Sequence, residues 1–236
     1  MNALALPALS LSGTDGDTGT NLALTLQAVL VALHGNPDAH AGQTLTRVAD
    51  AALDGARGNS GAILAQFLMG VGDRAGHLPE LTAEGCADAV GGGAVYARES
   101  LTEPREGTIL TVLSDFATAV HGAVHTAGVR DFRKLFQKAL ATARSSLEET
   151  RNQLEVLRRA NVVDAGALGF VELVAGMSDY LDTGVVPDDD AVIEMVRGEE
   201  SAAGSQMNLE HRYCTECTVI GQNIDLASAG EGAICQ

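Results

Sequence analysis

Residues 15–33 read DGDTGTNLALTLQAVLVAL, an acidic, glycine-containing loop that runs directly into an apolar segment. Within that segment the apolar residues with the spacing of one helix face are Leu22, Leu26, Val29 and Leu33. The pattern predicts a helix with Thr20 or Asn21 at its N-cap. The free N–H groups and the positive dipole end of this helix would then face the acidic loop.

Two carboxylates stand in the loop, those of Asp15 and Asp17. Carboxylate oxygens bind hard divalent cations, and a cation beside a helix N-terminus can hold a phosphate. An acidic turn that only caps a helix is the simpler alternative. An EF-hand is excluded because Leu26 stands at the twelfth loop position, where a bidentate Glu is required.

Three later stretches repeat this design, with a glycine beside a small polar residue ahead of an apolar helical run. They are GARGNSG at residues 55–61, EGTILTV at 106–112 and NVVDAGALGF at 161–170. We expect the first of these helices to begin with Ser60 or its neighbour at the N-cap. Each stretch could be an ordinary capped helix start. In a helical bundle, however, the loops at one end lie together, so the four starts could converge on one polyphosphate.

Composition restricts the partners of this protein. It has 31 acidic and 15 basic residues, a formal charge of −16, so nucleic acid and anionic membrane surfaces would be repelled. The only lysines are Lys134 and Lys138, and no GxxxxGK[ST] element occurs, so no lysine can act as in a P-loop. A bound nucleotide would therefore need a divalent metal and helix N–H groups to neutralise it. The sequence shows no transmembrane segment, signal peptide or disulfide framework, and we expect the cytoplasm.

The remaining patterns predict an all-α fold. Two apolar stripes at helical spacing are expected to face the core. They are Phe132, Leu135, Phe136, Leu140 and Leu147, and Val48, Ala49, Ala52, Leu53 and Ala56. Three consecutive glycines, residues 91–93, interrupt another helical stretch, and they indicate a kink, a close helix crossing or a loop near a ligand.

The chain changes character after residue 183. Residues 184–205 contain glycine, proline and an acidic run, and read as a linker with one short helix around residues 192–196. Residues 206–236 show strand-like alternation but are too few to fold alone. Cys214 and Cys217 form a lone CxxC, which could be half of a zinc site, a redox pair or unpaired cysteines. We therefore divide the chain into a helical domain (1–183), a linker (184–205) and an incomplete domain (206–236).

The motifs DGDTGTN, GARGNSGAIL, EGTILTV and VVDAG resemble, in order and spacing, the nucleotide-binding domain of the bacterial fatty acid kinase catalytic subunit. That domain belongs to the dihydroxyacetone kinase L superfamily, and the resemblance covers residues 8–183. It implies a barrel of amphipathic antiparallel helices that holds Mg-ATP in the loops at one end. It also implies a DegV-like partner, which presents a fatty acid whose carboxylate receives the γ-phosphate.

The resemblance also implies the residues of the site. Magnesium would be bound by Asp15 and Asp17. The residues placed around the nucleotide and its phosphates are Thr20, Asn21, Asn59, Ser60, Gly61, Thr108, Asp164 and Gly166. Arg57 either reaches a phosphate or lies on the surface. No catalytic base is nominated, because a carboxylate nucleophile is already ionised at neutral pH.

This chain departs from the family pattern at both ends. The family carries a helix before the acidic loop, and Ser10 stands where the dihydroxyacetone branch has a third metal-binding Asp. Residues 213–216 (YCTE) resemble the start of a middle domain, through which a homodimer could form. We therefore expect a fragment shortened at both ends. The alternative functions are a dihydroxyacetone-type kinase subunit and a non-catalytic fragment that binds a nucleotide or a partner.

Overall fold

The computed structural model describes residues 18–34 and 40–186. The helices of this part are α1 (Thr18–Leu33), α2 (Ala41–Asp54), α3 (Gly58–Ala75), α4 (Ala83–Glu99), α5 (Ile109–His121), α6 (Phe132–Gln153), α7 (Glu155–Ala160) and α8 (Ala165–Thr183). A π-helical turn, Gly122–Thr126, continues α5. The described residues contain no strand, so the expected all-α class is confirmed. None of these helices is long and apolar enough to cross a membrane.

The helices enclose one main hydrophobic core. α3 packs between α2 and α4, α5 packs against α4 and α6, and α8 packs against α6, α5 and α1. The rings of Phe67, Phe116 and Phe170 meet edge to face at its centre, with centroid separations of 5.6 and 5.4 Å. Offset aromatic pairs of this kind add to the energy of area burial.

The two predicted apolar stripes differ in outcome. In α6 the side chains of Leu135, Phe136, Leu140 and Leu147 are buried as expected, with Phe132 packed at their edge. In α2 the residues of the stripe that pack inward are the buried Ala49 and Ala52, with the partly buried Val48 and Ala56 beside them. Leu53 lies one helical position beyond this contact and is 45% exposed, so its assignment to the core was wrong.

The glycines at 91–93 lie inside an unbroken α4 and allow a close crossing with α3. A Cβ atom built on Gly70 of α3 would lie 2.6 Å from the carbonyl oxygen of Gly92. A Cβ atom on Gly93 would lie 2.7 Å from the carbonyl oxygen of Phe67. Of the three interpretations left open by the sequence, the close crossing is the one that the structure contains.

α8 ends at Thr183, and Gly184 follows at its C-cap with a left-handed φ of 69°. Glycine adopts this conformation without a Cβ clash, which makes it a common helix terminator. The predicted short helix near residues 192–196, the strand-like segment and the CxxC pair fall outside the described residues. Asp15 and Asp17 also lie outside them.

Candidate functional site

The starts of α1, α3 and α8 lie side by side. The amide of Asn21, in the first turn of α1, contacts Gly58 at the start of α3: a Cβ atom built on Gly58 would lie 2.7 Å from Asn21 Nδ2. The side chain of Ser60 contacts Gly166 at the start of α8, where a built Cβ atom would lie 2.6 Å from Ser60 Oγ. The side chains of Asn21 and Ser60 thus occupy the positions that a Cβ atom would take at Gly58 and Gly166, and the left-handed φ of +58° at Gly58 also favours glycine.

Asp164 adds the start of α5 to this group. It is the N-cap of α8, and its Oδ1 accepts a hydrogen bond from the backbone N–H of Ala167 at 2.8 Å. The N–H groups of Gly166 and of Ile109, the first residue of α5, lie near this carboxylate. Burial raises the pKa of this carboxyl, and the N–H groups of Ala167, Ile109 and Gly166 oppose that shift. Asp164 thus caps α8 and lies beside the start of α5.

The start of α5 is ordered by its own polar residues. Thr108 is the N-cap, and its Oγ1 accepts from the N–H of Leu110 at 3.3 Å. The carboxylate of Glu106 accepts from the hydroxyl of Thr111 at 2.6 Å and also pairs with Arg98. These two interactions, the hydroxyl first, lower the pKa of Glu106. The polar side chains of the EGTILTV stretch, those of Glu106, Thr108 and Thr111, are therefore all hydrogen-bonded within the stretch.

The start of α3 differs from the other two because it lacks a side-chain cap. The helix begins at Gly58, whose φ is +58°, and the N-cap residue Arg57 makes no capping hydrogen bond. The prediction of Ser60 or its neighbour at the N-cap was wrong, and Ser60 lies in the first turn. The left-handed glycine turns the chain into the helix before the polar residues are reached. An uncapped start offers its N–H groups to an anion.

The predicted residues of the GARGNSG stretch occupy different environments. Asn59 is exposed, Ser60 is half-buried and Gly61 is buried. The N–H of Gly61 already donates to the carbonyl of Arg57 at 3.1 Å. The donors left at this helix start, among the described residues, are therefore the N–H groups of Gly58, Asn59 and Ser60. The side chain of Arg57 is exposed, and its guanidinium donates to the backbone carbonyl of Ala56 at 3.0 Å.

The start of α1 also lies earlier than predicted. The helix begins at Thr18, so Thr20 and Asn21 are first-turn residues, and the N-cap assignment was wrong. The side chain of Asn21 is packed against Gly58, and the backbone carbonyl of Asn21 accepts from the hydroxyl of Thr25 at 2.8 Å. A side chain held between two helices cannot also fold back to cap its own helix.

A metal at this site would depend on the acidic loop. Among the described residues no group of three or more His, Cys, Asp or Glu side chains could hold a metal ion. The donor set that the described residues do provide consists of N–H groups, hydroxyls, an amide and one guanidinium. Such donors suit phosphate oxygens rather than a cation. The magnesium assignment therefore remains a prediction for Asp15 and Asp17.

Three buried threonines at the site were missed by sequence reasoning. The hydroxyl oxygen of Thr25 accepts from the N–H of Arg57, that of Thr111 from Gly107, and that of Thr150 from Asp164. A polar residue on an otherwise apolar helix face, such as Thr25 between Leu22 and Val29, was the available signal. Its meaning could not be read there, because the partner of Thr25 lies far away in sequence.

Comparison with known proteins identifies the family of this chain. The family model of the DAK2 domain matches residues 14–179, which include all four stretches. An uncharacterized protein of Staphylococcus saprophyticus is 34% identical over 216 residues, which cover 89% of this chain and 39% of that protein. An uncharacterized protein of Staphylococcus aureus strain USA300 is 33% identical over the same shares. The chain thus spans 39% of the length of these curated relatives. By the extent of the family match, the chain belongs to the kinase-associated DAK2 domain family, which is dihydroxyacetone kinase L-like.

Proposed function

We propose that this DAK2 domain binds ATP with magnesium and transfers the γ-phosphoryl group to the carboxylate of a fatty acid presented by a DegV-like protein. The observation that supports it is the meeting of four helix starts, of which that of α3 has no side-chain cap. Helix N-termini that converge offer N–H groups and positive dipole ends to a polyphosphate. DAK2-type domains bind ADP or ATP in related kinases.

The phosphate chain would lie against the start of α3. The N–H groups of Gly58, Asn59 and Ser60 would donate to its oxygens, and the hydroxyl of Ser60 would add a further donor. Arg57 would contribute the only guanidinium within a motif. Because the chain carries a formal charge of −16, these local donors must offset a field that repels anions. Asp15 and Asp17 would hold magnesium, which neutralises phosphate charge when bound.

Phosphoryl transfer needs mainly positioning and charge stabilisation from the protein. The acceptor carboxylate is ionised at neutral pH, so no side chain has to remove a proton from it. The fixed N–H groups of α3 would stabilise the charge on the transferring group. No catalytic base is therefore required for this reaction.

Binding and transfer can be tested separately. The full chain would be titrated calorimetrically with ATP, with and without magnesium. It would then be mixed with a DegV-like protein loaded with a fatty acid, and acyl phosphate would be trapped with hydroxylamine. Dihydroxyacetone would be offered in a parallel reaction. D17N should weaken magnesium-dependent binding, whereas D50N, at an exposed position of α2, should leave it unchanged.

Each outcome selects one function. Magnesium-dependent ATP binding with acyl phosphate formation supports the proposal. Transfer to dihydroxyacetone instead selects the glycerone kinase alternative. Tight ATP binding without transfer to either acceptor selects a non-catalytic role for this chain. Absence of ATP binding in the presence of magnesium overturns the proposal.

A further inference from the structure

We propose that three buried threonine hydroxyls, those of Thr25, Thr111 and Thr150, position the helix starts that bind the phosphate chain. The inference rests on the proposed ATP-binding function and adds residues that do not themselves contact the nucleotide. These threonines are positioning residues, because each acts through a backbone N–H group at a helix start.

The three hydroxyls have the same relation to the helix starts. Each accepts a hydrogen bond from a backbone N–H that lies at or just before an N-cap. The pairs are Arg57 N to Thr25 Oγ1 at 3.1 Å, Gly107 N to Thr111 Oγ1 at 2.9 Å, and Asp164 N to Thr150 Oγ1 at 3.1 Å. Arg57 and Asp164 are the N-caps of α3 and α8, and Gly107 precedes the N-cap of α5.

Each hydroxyl also donates its proton, so its orientation is set. The acceptors are the carbonyl oxygen of Asn21 at 2.8 Å for Thr25, Glu106 Oε2 at 2.6 Å for Thr111, and the carbonyl oxygen of Leu147 at 2.7 Å for Thr150. A hydroxyl that donates in a fixed direction presents its lone pairs in a fixed direction as well. The N–H groups at the helix starts are therefore held at defined positions.

Water cannot readily replace these hydroxyls. Thr25 and Thr150 are 0% exposed and Thr111 is 9% exposed. The space around Thr25 is closed by Gly61, where a built Cβ atom would lie 2.5 Å from Thr25 Oγ1. A buried N–H that loses its acceptor is costly, so the chain would move to find another partner.

Such a movement would displace the N–H groups that are proposed to bind the phosphate chain. A shift of Arg57 moves Gly58, Asn59 and Ser60, which follow it directly. A shift of Asp164 moves its carboxylate relative to the N–H of Ile109, the first residue of α5. Binding geometry at a reacting centre is sensitive to displacements of about 1 Å, even when their cause lies outside the site.

Thr118 provides a matched comparison. It lies in α5, is exposed, and donates only to the carbonyl of Ser114 on the same helix at 2.8 Å. Its hydroxyl touches no helix start. T118V therefore removes a threonine hydroxyl without removing the acceptor of the N–H of Arg57, Gly107 or Asp164.

The test replaces each threonine by valine, which keeps the shape and removes the hydroxyl, and by serine, which keeps the hydroxyl. The variants are T25V, T111V, T150V, T25S, T111S and T150S, with T118V as the control. The dissociation constant for Mg-ATP would be measured calorimetrically, well below the melting temperature found by circular dichroism. We expect each of T25V, T111V and T150V to raise the dissociation constant for Mg-ATP by about tenfold or more. Serine should restore it to within about threefold of the wild type, and T118V should have no effect.

A valine variant that is folded and binds as tightly as the wild type would overturn the inference. So would a melting temperature lowered by valine with an unchanged dissociation constant, because that is the signature of a merely structural role. If a valine variant does not fold, the inference is tested with the serine variant and with amide hydrogen exchange at Arg57, Gly107 and Asp164 in the wild type. Exchange as fast as in an exposed loop contradicts the hydrogen bond to the threonine, and protection from exchange supports it.

Failure of the proposed function would appear differently. If the wild-type chain binds no Mg-ATP, that function is lost whatever the variants do. Amide hydrogen exchange at Arg57, Gly107 and Asp164 would then test the positioning role of the threonines without ATP. Faster exchange in the valine variants supports that role, and unchanged exchange overturns it.

Discussion

The carboxylate of Asp164 accepts a hydrogen bond from the backbone N–H of Ala167 at 2.8 Å, and the backbone N–H of Ile109 lies near the same carboxylate and favours its charged form. The N-cap of α8 thus lies beside the first residue of α5. The N–H of Ala167 is thereby bonded to the N-cap side chain of its own helix, whereas α3 has no side-chain cap. Among the starts of α3, α5 and α8, that of α3 is therefore the one whose first N–H groups lack a side-chain acceptor.

Two substitutions of Asp164 distinguish the contribution of its capping oxygen to stability from the contribution of its carboxylate charge. D164A removes an N-cap and leaves buried N–H groups unpaired, so we expect a loss of about 1–3 kcal/mol in the free energy of unfolding. D164N keeps an acceptor oxygen and should lose less than half as much. Urea denaturation followed by circular dichroism measures both. Equal losses would show that the carboxylate charge, rather than the capping oxygen, stabilises the junction.

The pH dependence of stability should report the burial of Asp164. Its pKa is raised above the ordinary 3.8, so the folded protein retains this proton better than the unfolded chain does. The resulting stabilisation is present below pH 3.8 and is lost as pH rises through the raised pKa. The unfolding free energy of the wild type, minus that of D164N, should therefore fall with rising pH in this window. A difference that rises would mean that the three N–H donors outweigh burial.

The junction of α3 and α8 should be sensitive to one methyl group. In G166A the new Cβ atom would meet Ser60 Oγ at 2.6 Å, so the Ser60 hydroxyl would have to leave its position at the helix start. We expect Mg-ATP affinity to fall by about tenfold. G176A, on the same helix with nothing within 4 Å of the new atom, is the control and should bind normally. Unchanged affinity in G166A would place the phosphate site elsewhere.

Two neighbouring glycines of α4 should respond in opposite ways to alanine. G93A forces a Cβ atom to within 2.7 Å of the carbonyl oxygen of Phe67, so we expect destabilisation by about 1–3 kcal/mol. G91A places its methyl group in open space inside a helix, and should stabilise by up to about 1 kcal/mol. Thermal unfolding of the pair checks the close crossing of α3 and α4. Stabilisation by both substitutions would contradict it.

The thiol of Cys86 should be inert in the folded protein. Burial raises its pKa to about 11, because the thiolate is disfavoured away from water. We expect no alkylation of the Cys86 peptide at pH 8 by mass spectrometry, and full alkylation after unfolding in urea. Since the folded pKa is raised above 9.0, stability should also decline as pH rises from 9 towards 11. Rapid alkylation of the native protein at pH 8 would contradict the burial.

The sequence predicted the helices and their motifs well, because helix periodicity and capping depend on residues a few positions apart. The α6 stripe is buried as its spacing predicted, and α5 and α8 begin within the EGTILTV and NVVDAGALGF stretches. Local patterns failed at the starts of α1 and α3. There the helix boundary depends on Asn21 against Gly58 and on Thr25 beneath Arg57, which are contacts between distant segments.

By itself, then, the amino-acid sequence determined an all-α chain with four helix-starting motifs, an acidic surface and two lysines in all. Only the tertiary structure decided which helix start is uncapped, which glycines serve a close crossing and which threonines hold the N–H groups in place. The reason is physical. Helix formation is driven by interactions between neighbouring residues, whereas the environment of a donor or a Cβ position depends on whichever helix packs against it.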